Sequence, residues 1–440
     1  MSPFFVKAAQ LLLSLSILIV LHELGHFIPA KLFKTRVEKF YLFFDIKFSL
    51  FKKKIGETVY GIGWLPLGGY VKIAGMIDES MDKEQMAGPP QPWEFRSKPA
   101  WQRLIIMLGG VTVNIILGFL IYMAIIFTWG TSYVGFEDLP KGFAIEDSFK
   151  KYGFEDGDRI MQVNGKEFED VTRINQHLFM RDINAISVLH QNGQKETIQI
   201  PEDIGTIMFE SGVLRPFSPI VDPILDSIQK GSAADQSGLR KGDKILSLND
   251  QKVTYWSDFN RLKVADTTKK ALKVVYLRDG IENSVTVTPD EDGIVGVYPK
   301  IDYKFQKKEY SLGESITKGF DFGYWTLYDY IAQFKYVFTK KGASQVGGFG
   351  AIGNLFPDAW DWRAFWGTTA FISIILAFMN ILPIPALDGG HVMFLLYEII
   401  AGKKPNDKFM EYAQLVGFII LIALLLFANG NDIYRAITGK

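Results

Sequence analysis

Four apolar stretches constrain this chain more than anything else in it. They are Leu11 to Leu21, with apolar shoulders at Phe4, Phe5 and Val6 and at Phe27 and Ile28, then Leu104 to Thr128, Phe365 to Leu382, and Leu415 to Phe427. A membrane span needs roughly 20 mostly apolar residues. The second stretch meets that alone and the others with tolerant ends. The remaining chain is ordinary in charge: 440 residues carry 48 Lys and Arg against 48 Asp and Glu. A net charge of zero leaves no field to attract a nucleic-acid backbone, so no nucleic-acid partner is expected. Cysteine is absent, which excludes disulfides, thiolate zinc ligands and cysteine nucleophiles together. Any metal must be held by histidine and carboxylate.

Cations orient the spans. Lys7 precedes the first stretch, whereas Lys31, Lys34, Arg36, Lys39 and Lys47 follow it. The positive-inside rule then puts the N-terminus outside and Lys31 onward in the cytoplasm. No small-x-small cleavage site follows the apolar run, so an uncleaved anchor is expected rather than a signal peptide. The second span returns the chain outside, and residues of about 130 to 360 are external. The third goes back in toward Lys403, Lys404 and Lys408, and the fourth goes out.

The external part repeats itself. Tyr152-Gly153-Phe154-Glu155-Asp156-Gly157-Asp158-Arg159-Ile160 is echoed by Ser237-Gly238-Leu239-Arg240-Lys241-Gly242-Asp243-Lys244-Ile245. Each copy is followed by a hairpin signal, alternating strands around a two-residue turn. These are Ile186 to His190 with Asn192-Gly193, and Lys273 to Arg278 with Asp279-Gly280. The pattern Gly-Leu-x-x-Gly-Asp-x-Ile-x-x-x-Asn resembles PDZ domains, which accept an extended peptide as an added strand. A peptide ligand of this pair is therefore one expectation, and a pair of rigid spacers is the other. From Ser311 to Tyr336 the pattern is helical, amphipathic and aromatic, and Gly342 to Gly353 is glycine-rich. This reads as an interfacial helix and hinge, or as a packed connector.

The chemistry lies elsewhere. His22-Glu23-Leu24-Gly25-His26 is H-E-x-x-H inside the first apolar stretch. On a helix, residues i and i+4 share a face, so two imidazoles can hold one metal while Glu23 serves as general base. Ionisable residues in a span cost free energy and are functional by default. A hydrogen-bonded histidine pair that merely packs helices is the bland alternative. Catalytic zinc takes three protein ligands and leaves one position open. His177 and His190 fall in the external β-domains, which leaves His391 or a carboxylate as the third. Asn380-Ile381-Leu382-Pro383-Ile384-Pro385-Ala386-Leu387-Asp388-Gly389-Gly390-His391 breaks the third span. Irregular backbone at membrane depth is tolerated only when buried in protein or lining a wet cavity. Asp388 on that backbone, at a depth comparable to His26, is the better third ligand. A helix cap is its bland reading.

These motifs, in this order, resemble the site-2 protease family of intramembrane zinc metalloproteases. PDZ-like domains between the second and third spans narrow the resemblance to the bacterial regulator-of-sigma-E protease (RseP) type. It covers nearly the whole chain. It implies that His22, His26 and Asp388 bind one zinc ion, that Glu23 activates water, and that Asn380 helps hold substrate. It further implies cleavage of transmembrane segments of single-pass membrane proteins, with anti-sigma factors or remnant signal peptides as typical substrates. The PDZ pair would act as a size gate on the periplasmic side of a bacterial inner membrane. Gly109-Gly110 stands where many relatives have Gly-Pro, which puts only local helix geometry in doubt. The glycine-punctuated stretch Tyr60 to Met76 reads as a β-hairpin and resembles the family's membrane-associated β-element beside the zinc.

The expected fold is thus a polytopic α-helical membrane protein with four transmembrane helices. It adds two external β-rich PDZ-like domains and a cytoplasmic-side membrane-associated β-hairpin. In order these are the first span with H-E-x-x-H (1–30), the cytoplasmic segment with the hairpin (31–100) and the second span (101–129). The PDZ-like domains follow (130–215 and 216–303), then the amphipathic helix and hinge (304–359). The third span with Leu-Asp-Gly (360–390) and the fourth span with the C-terminus (391–440) complete the chain. A non-catalytic PDZ scaffold with a structural metal site is the main rival, although such a site is normally closed by four ligands. A transporter would show inverted repeats among the spans, and none is visible.

Overall fold

A computed structural model describes residues 2–66, 68–76, 88–265, 271–290 and 293–438, so 77–87 of the expected cytoplasmic segment lie outside the described residues. Contacts divide the chain into two units, Met1–Gly130 with Glu309–Lys440, and Thr131–Lys308.

In the first unit the apolar stretches become helices. Those long and apolar enough to cross a bilayer among the described residues are Pro3–Leu32, Ala100–Trp129, Trp362–Ile381 and Lys408–Thr438. Polar side chains join them. Thr369 Oγ1 donates to Ser14 Oγ at 3.0 Å, and Ser373 Oγ donates to the Asn114 carbonyl at 2.7 Å. Each such bond contributes about 0.6 kcal/mol between helices in a bilayer.

The third span is shorter than the expected 360–390. Its helix stops at Ile381, and a separate helix runs Asp388–Ala401. Pro383 and Pro385 forbid a continuous hydrogen-bond ladder between them. The amphipathic helix spans Leu312–Val337 and opens with a capping box at Ser311 and Glu314. It packs along the second span. A Cβ on Gly319 would fall 2.6 Å from Met123, and one on Gly323 would fall 3.0 Å from Phe119. Tyr330 and Phe334 meet Phe378 of the third span edge to face. The packed-connector reading therefore describes this helix better than an interfacial one.

Between the first two spans lies a four-stranded sheet: β1 (Val37–Leu42), β2 (Phe44–Ile55), β3 (Thr58–Leu65) and β4 (Tyr70–Ile73), in the order β2-β3-β1-β4. The hairpin expected over Tyr60 to Met76 is not one. β3 and β4 flank β1, parallel and antiparallel to it, and the hairpin is formed by β2 and β3. The reason lies at Gly69. A Cβ there would sit 2.5 Å from Ile19 and 2.7 Å from the Tyr41 carbonyl, so the chain crosses the first span instead of doubling back. β4 consequently lies at an edge of the sheet.

In the second unit both copies of the repeat use one strand order. The first sheet runs Lys195–Gln199, Ala185–Leu189, Arg159–Val163, Lys166–Glu167, and the second runs Ile281–Val287, Leu272–Arg278, Lys244–Leu248, Gln251–Lys252. Asp279 and Gly280 both take positive φ, as a two-residue type I′ turn requires. The first copy departs from the expected two-residue turn. Its strands join through 190–194, where Gly193 N–H returns to the His190 carbonyl and Gly193 takes φ 84°. Asn192 thus serves inside a type I turn followed by a left-handed glycine, the longer hairpin class. Each copy closes over its own apolar core, around Phe143, Phe154 and Phe217 in one and Leu239, Ile245 and Phe259 in the other.

The aspartate of each Gly-Asp pair is fully buried but differently paired. Asp243 accepts two hydrogen bonds from Arg278, both 2.7 Å, whereas Asp158 accepts one from His190 Nδ1 at 2.7 Å. Burial opposes charge on His190, but the bond and charge of Asp158 outweigh it and raise its pKa. A raised pKa gives stabilisation that is complete below the free imidazole value of about 6.5 and is lost as pH rises through the raised one. Arginine does not titrate there. Native-state hydrogen exchange should therefore show Ile186 and Val188 losing protection as pH rises above the free imidazole value of about 6.5 while Val274 keeps its own. His190→Gln should remove the difference.

Candidate metal centre

The helical spacing of H-E-x-x-H places His22 Nε2 3.2 Å from His26 Nε2, with the two rings edge to face. What holds them there is the second span. A Cβ on Gly25 would lie 2.4 Å from the Gly109 carbonyl oxygen, and one on Gly109 would lie 1.9 Å from that of Gly25. Only hydrogen at both positions lets the two backbones touch. Gly110 continues the contact beneath the imidazoles, where a Cβ would meet His26 Nε2 at 2.4 Å and His22 Cε1 at 2.5 Å. The Gly-Gly pair thus forms the floor of the site. His26 Nδ1 donates to the Ile106 carbonyl at 2.8 Å, and His22 Nδ1 lies 3.2 Å from the Asn114 amide.

The broken third span supplies the carboxylate. Asp388 does not sit on the irregular backbone itself; it is the first residue of the Asp388–Ala401 helix. The irregular part is Leu382 to Leu387, where Ala386 takes φ 75°, a conformation that costs a non-glycine residue about 1–2 kcal/mol. Gly389 and Gly390 let this turn fold tightly, since a Cβ on either would strike the carbonyls of Leu382 or Ile384. Asp388 Oδ2 ends 3.4 Å from His22 Nε2 and 3.3 Å from His26 Nε2, buried and without a hydrogen-bond partner.

Three donor atoms 3.2, 3.3 and 3.4 Å apart could hold one ion. A tetrahedral ion with bonds of about 2.0–2.1 Å keeps its ligand atoms about 3.3 Å from one another. Among the described residues this is the cluster of His, Asp and Glu close enough to do so.

The same three residues line a cavity of about 150 Å³ with Glu23 and Asn380. The Val71 backbone hydrogen-bonds to the Glu23 carboxylate from edge strand β4. His391 lines this cavity as well, but it lies outside the three-atom cluster, and Gln414 Nε2 donates to its Nε2 at 2.8 Å. His177 and His190 belong to the other unit. Sequence reasoning named the stretch Tyr60 to Met76 without singling out Tyr70 and Val71, and it passed over Gln414 and Asn114. The first two could be found only once β4 was known to be an edge. Asn114 had a signal of its own, an amide in an apolar span.

Residues 10–424 match the description of peptidase family M50. The chain belongs to that family. It is a zinc metalloprotease of the site-2 type. The regulator of sigma-E protease RseP of Escherichia coli is 27% identical over 471 residues, covering 99% of this chain and 100% of that protein. Its Salmonella typhimurium namesake is 28% identical over 465 residues, covering 97% and 98%. A protein of Thermotoga maritima named as a zinc metalloprotease is 26% identical over 503 residues, covering 96% and 98%.

The glycine floor of this protease can be tested by filling it. Gly110→Val should displace an imidazole and lower zinc retention after dialysis at least tenfold, measured by elemental analysis. Gly367→Ala, in the third span, where a Cβ would meet nothing within 4 Å, should retain zinc like wild type.

Proposed function

We propose that this protease is an intramembrane endopeptidase that cuts transmembrane segments of single-pass membrane proteins. The convergence of His22 and His26 from one membrane-length helix with Asp388 from the start of the helix after the third span carries this reading. His22 Nε2, His26 Nε2 and an Asp388 oxygen are the zinc ligands. Zinc held there supplies Lewis acidity to the attacking water and the scissile carbonyl. The fourth position left open by three protein ligands favours a catalytic site over a structural one.

The other residues have assignable work. Glu23 accepts the proton of the attacking water at its carboxylate and returns it to the leaving nitrogen. The Val71 backbone keeps that carboxylate turned into the cavity. A helical substrate hides its scissile carbonyl in its own hydrogen-bond ladder, so it must unwind first. β4, an edge strand lining the cavity through Tyr70 and Val71, can pair with the unwound stretch and replace the lost backbone bonds. Asn380, in the same lining, offers an amide to that stretch.

The setting is a bacterial inner membrane, with the sheet on the cytoplasmic side. Exposed Ile46, Phe48, Phe51 and Trp64 interleave with Lys47 and Lys52 to Lys54, a composition suited to a lipid interface. The unit Thr131–Lys308 reads as two periplasmic PDZ-like domains. A site at membrane depth cannot admit a folded ectodomain, and this unit is the bulky mass available to act as a size gate. Anti-sigma factors and remnant signal peptides, already trimmed outside, are the fitting substrates.

Two experiments test this. In a purified cleavage assay against transmembrane segments, Glu23→Gln should keep about one zinc per chain and lose about 10²–10⁴-fold in turnover. Asp388→Ala should lose both metal and activity, whereas a fully active Asp388→Ala beside an inactive His391→Ala would overturn the ligand set. Deleting residues of about 135 to 300 in favour of a short Gly/Ser linker should preserve zinc and permit cleavage of substrates with intact ectodomains. Unchanged selectivity would return the domains to spacers.

A further inference from the structure

The second span carries an amide where its neighbours are apolar. Asn114 is 1% exposed, and the Ser373 hydroxyl fixes its backbone by donating to its carbonyl at 2.7 Å. One helical turn beyond Gly110, its side chain reaches the far nitrogen of His22, Nδ1, at 3.2 Å. The nitrogen Nδ2 occupies that contact, and Oδ1 is buried with no partner. The two ends of an amide are told apart by their hydrogen bonds alone.

The chemistry distinguishes the two orientations. With Nδ2 donating, His22 Nδ1 must be the bare nitrogen, and the ring proton moves to Nε2. That proton would then point at His26 Nε2, 3.2 Å away, and at Asp388 Oδ2, 3.4 Å away, and Nε2 could bind no metal. Turning the amide over lets Oδ1 accept from a protonated Nδ1. The orphaned oxygen gains its partner and the Nε2 lone pair is released toward the other two donors. His26 already has this arrangement, because the Ile106 carbonyl beside its Nδ1 can only accept.

We propose that Asn114 is a positioning residue of the metal centre. Its amide oxygen accepts the His22 Nδ1 proton, selects the tautomer with a free Nε2, and locks the ring plane toward the ion. Two acceptors, a main-chain carbonyl at His26 and a side-chain amide at His22, both come from the second span. That span therefore sets the protonation pattern of both histidines. The inference rests on the reading of His22 as a zinc ligand and deepens it.

The test measures zinc affinity of the full-length detergent-solubilised protein by chelator competition, for wild type, His22→Ala, Asn114→Leu and Asn114→Asp. Outer-shell partners of ligating histidines typically change metal affinity 10–100-fold. Asn114→Leu keeps the volume and loses the acceptor, so it should bind zinc 10–100-fold more weakly while its metal-free form unfolds at the wild-type temperature. Asn114→Asp restores an acceptor and should bind within threefold of wild type or tighter. If Asn114→Leu binds zinc as wild type does while His22→Ala does not, the positioning role is wrong and the ligand set stands. If metal-free Asn114→Leu unfolds early and Asn114→Asp fails to recover affinity, Asn114 is a packing residue. If His22→Ala keeps its zinc, the ligand reading falls and the inference with it.

Discussion

The close crossing of the first two spans is the contact on which the rest of the site depends. Gly25 and Gly109 touch main chain to main chain, and no side chain larger than hydrogen fits at either. That approach brings Gly110 under the imidazoles and the Ile106 carbonyl to His26 Nδ1. Gly110 itself puts no Cβ against the histidines, and the helix Ala100–Trp129 runs unbroken through it.

The second constraint is the break after Ile381. A continuous third helix would carry Asp388 onward past the histidines along its own axis. Two prolines, a left-handed Ala386 and a pair of glycines instead turn the chain within seven residues and begin a new helix at the carboxylate. Such backbone is affordable at membrane depth only where water or protein meets its polar groups. On the proposed assignment peptide hydrolysis needs water at the same place, so the feature that permits the break would also serve the reaction. The sheet contributes from the other side: Gly69 passes over Ile19, and β4 arrives with a free edge beside Glu23.

The two copies of the external repeat solve one problem with different chemistry. Both bury the aspartate of a Gly-Asp turn, and both satisfy its charge from the end of the neighbouring strand in the sheet. An arginine does so with two bonds in one copy and a histidine with one in the other. The folds agree because the turn residues and core positions agree. The electrostatics differ because a single partner position differs, and only one of the two partners titrates near neutrality.

Much of this was legible from the chain because it is local. Apolar length alone marks four membrane helices, the i, i+4 geometry of a helix brings His22 to His26, and the duplicated Gly-Asp motif announces one strand order used twice. Proline and glycine around Asp388 announced a break, though not that a new helix would start on the aspartate itself. What the tertiary structure decided is the set of pairings between residues far apart. β1 separates β3 from β4 because Gly69 must cross Ile19, which no pattern within 60–76 contains. Asn114 meets His22 across 92 positions, and an amide in an apolar span announces a polar contact without naming its partner. Sequence periodicity reports which face a residue occupies, whereas the partner on that face is chosen by how closely two backbones can approach.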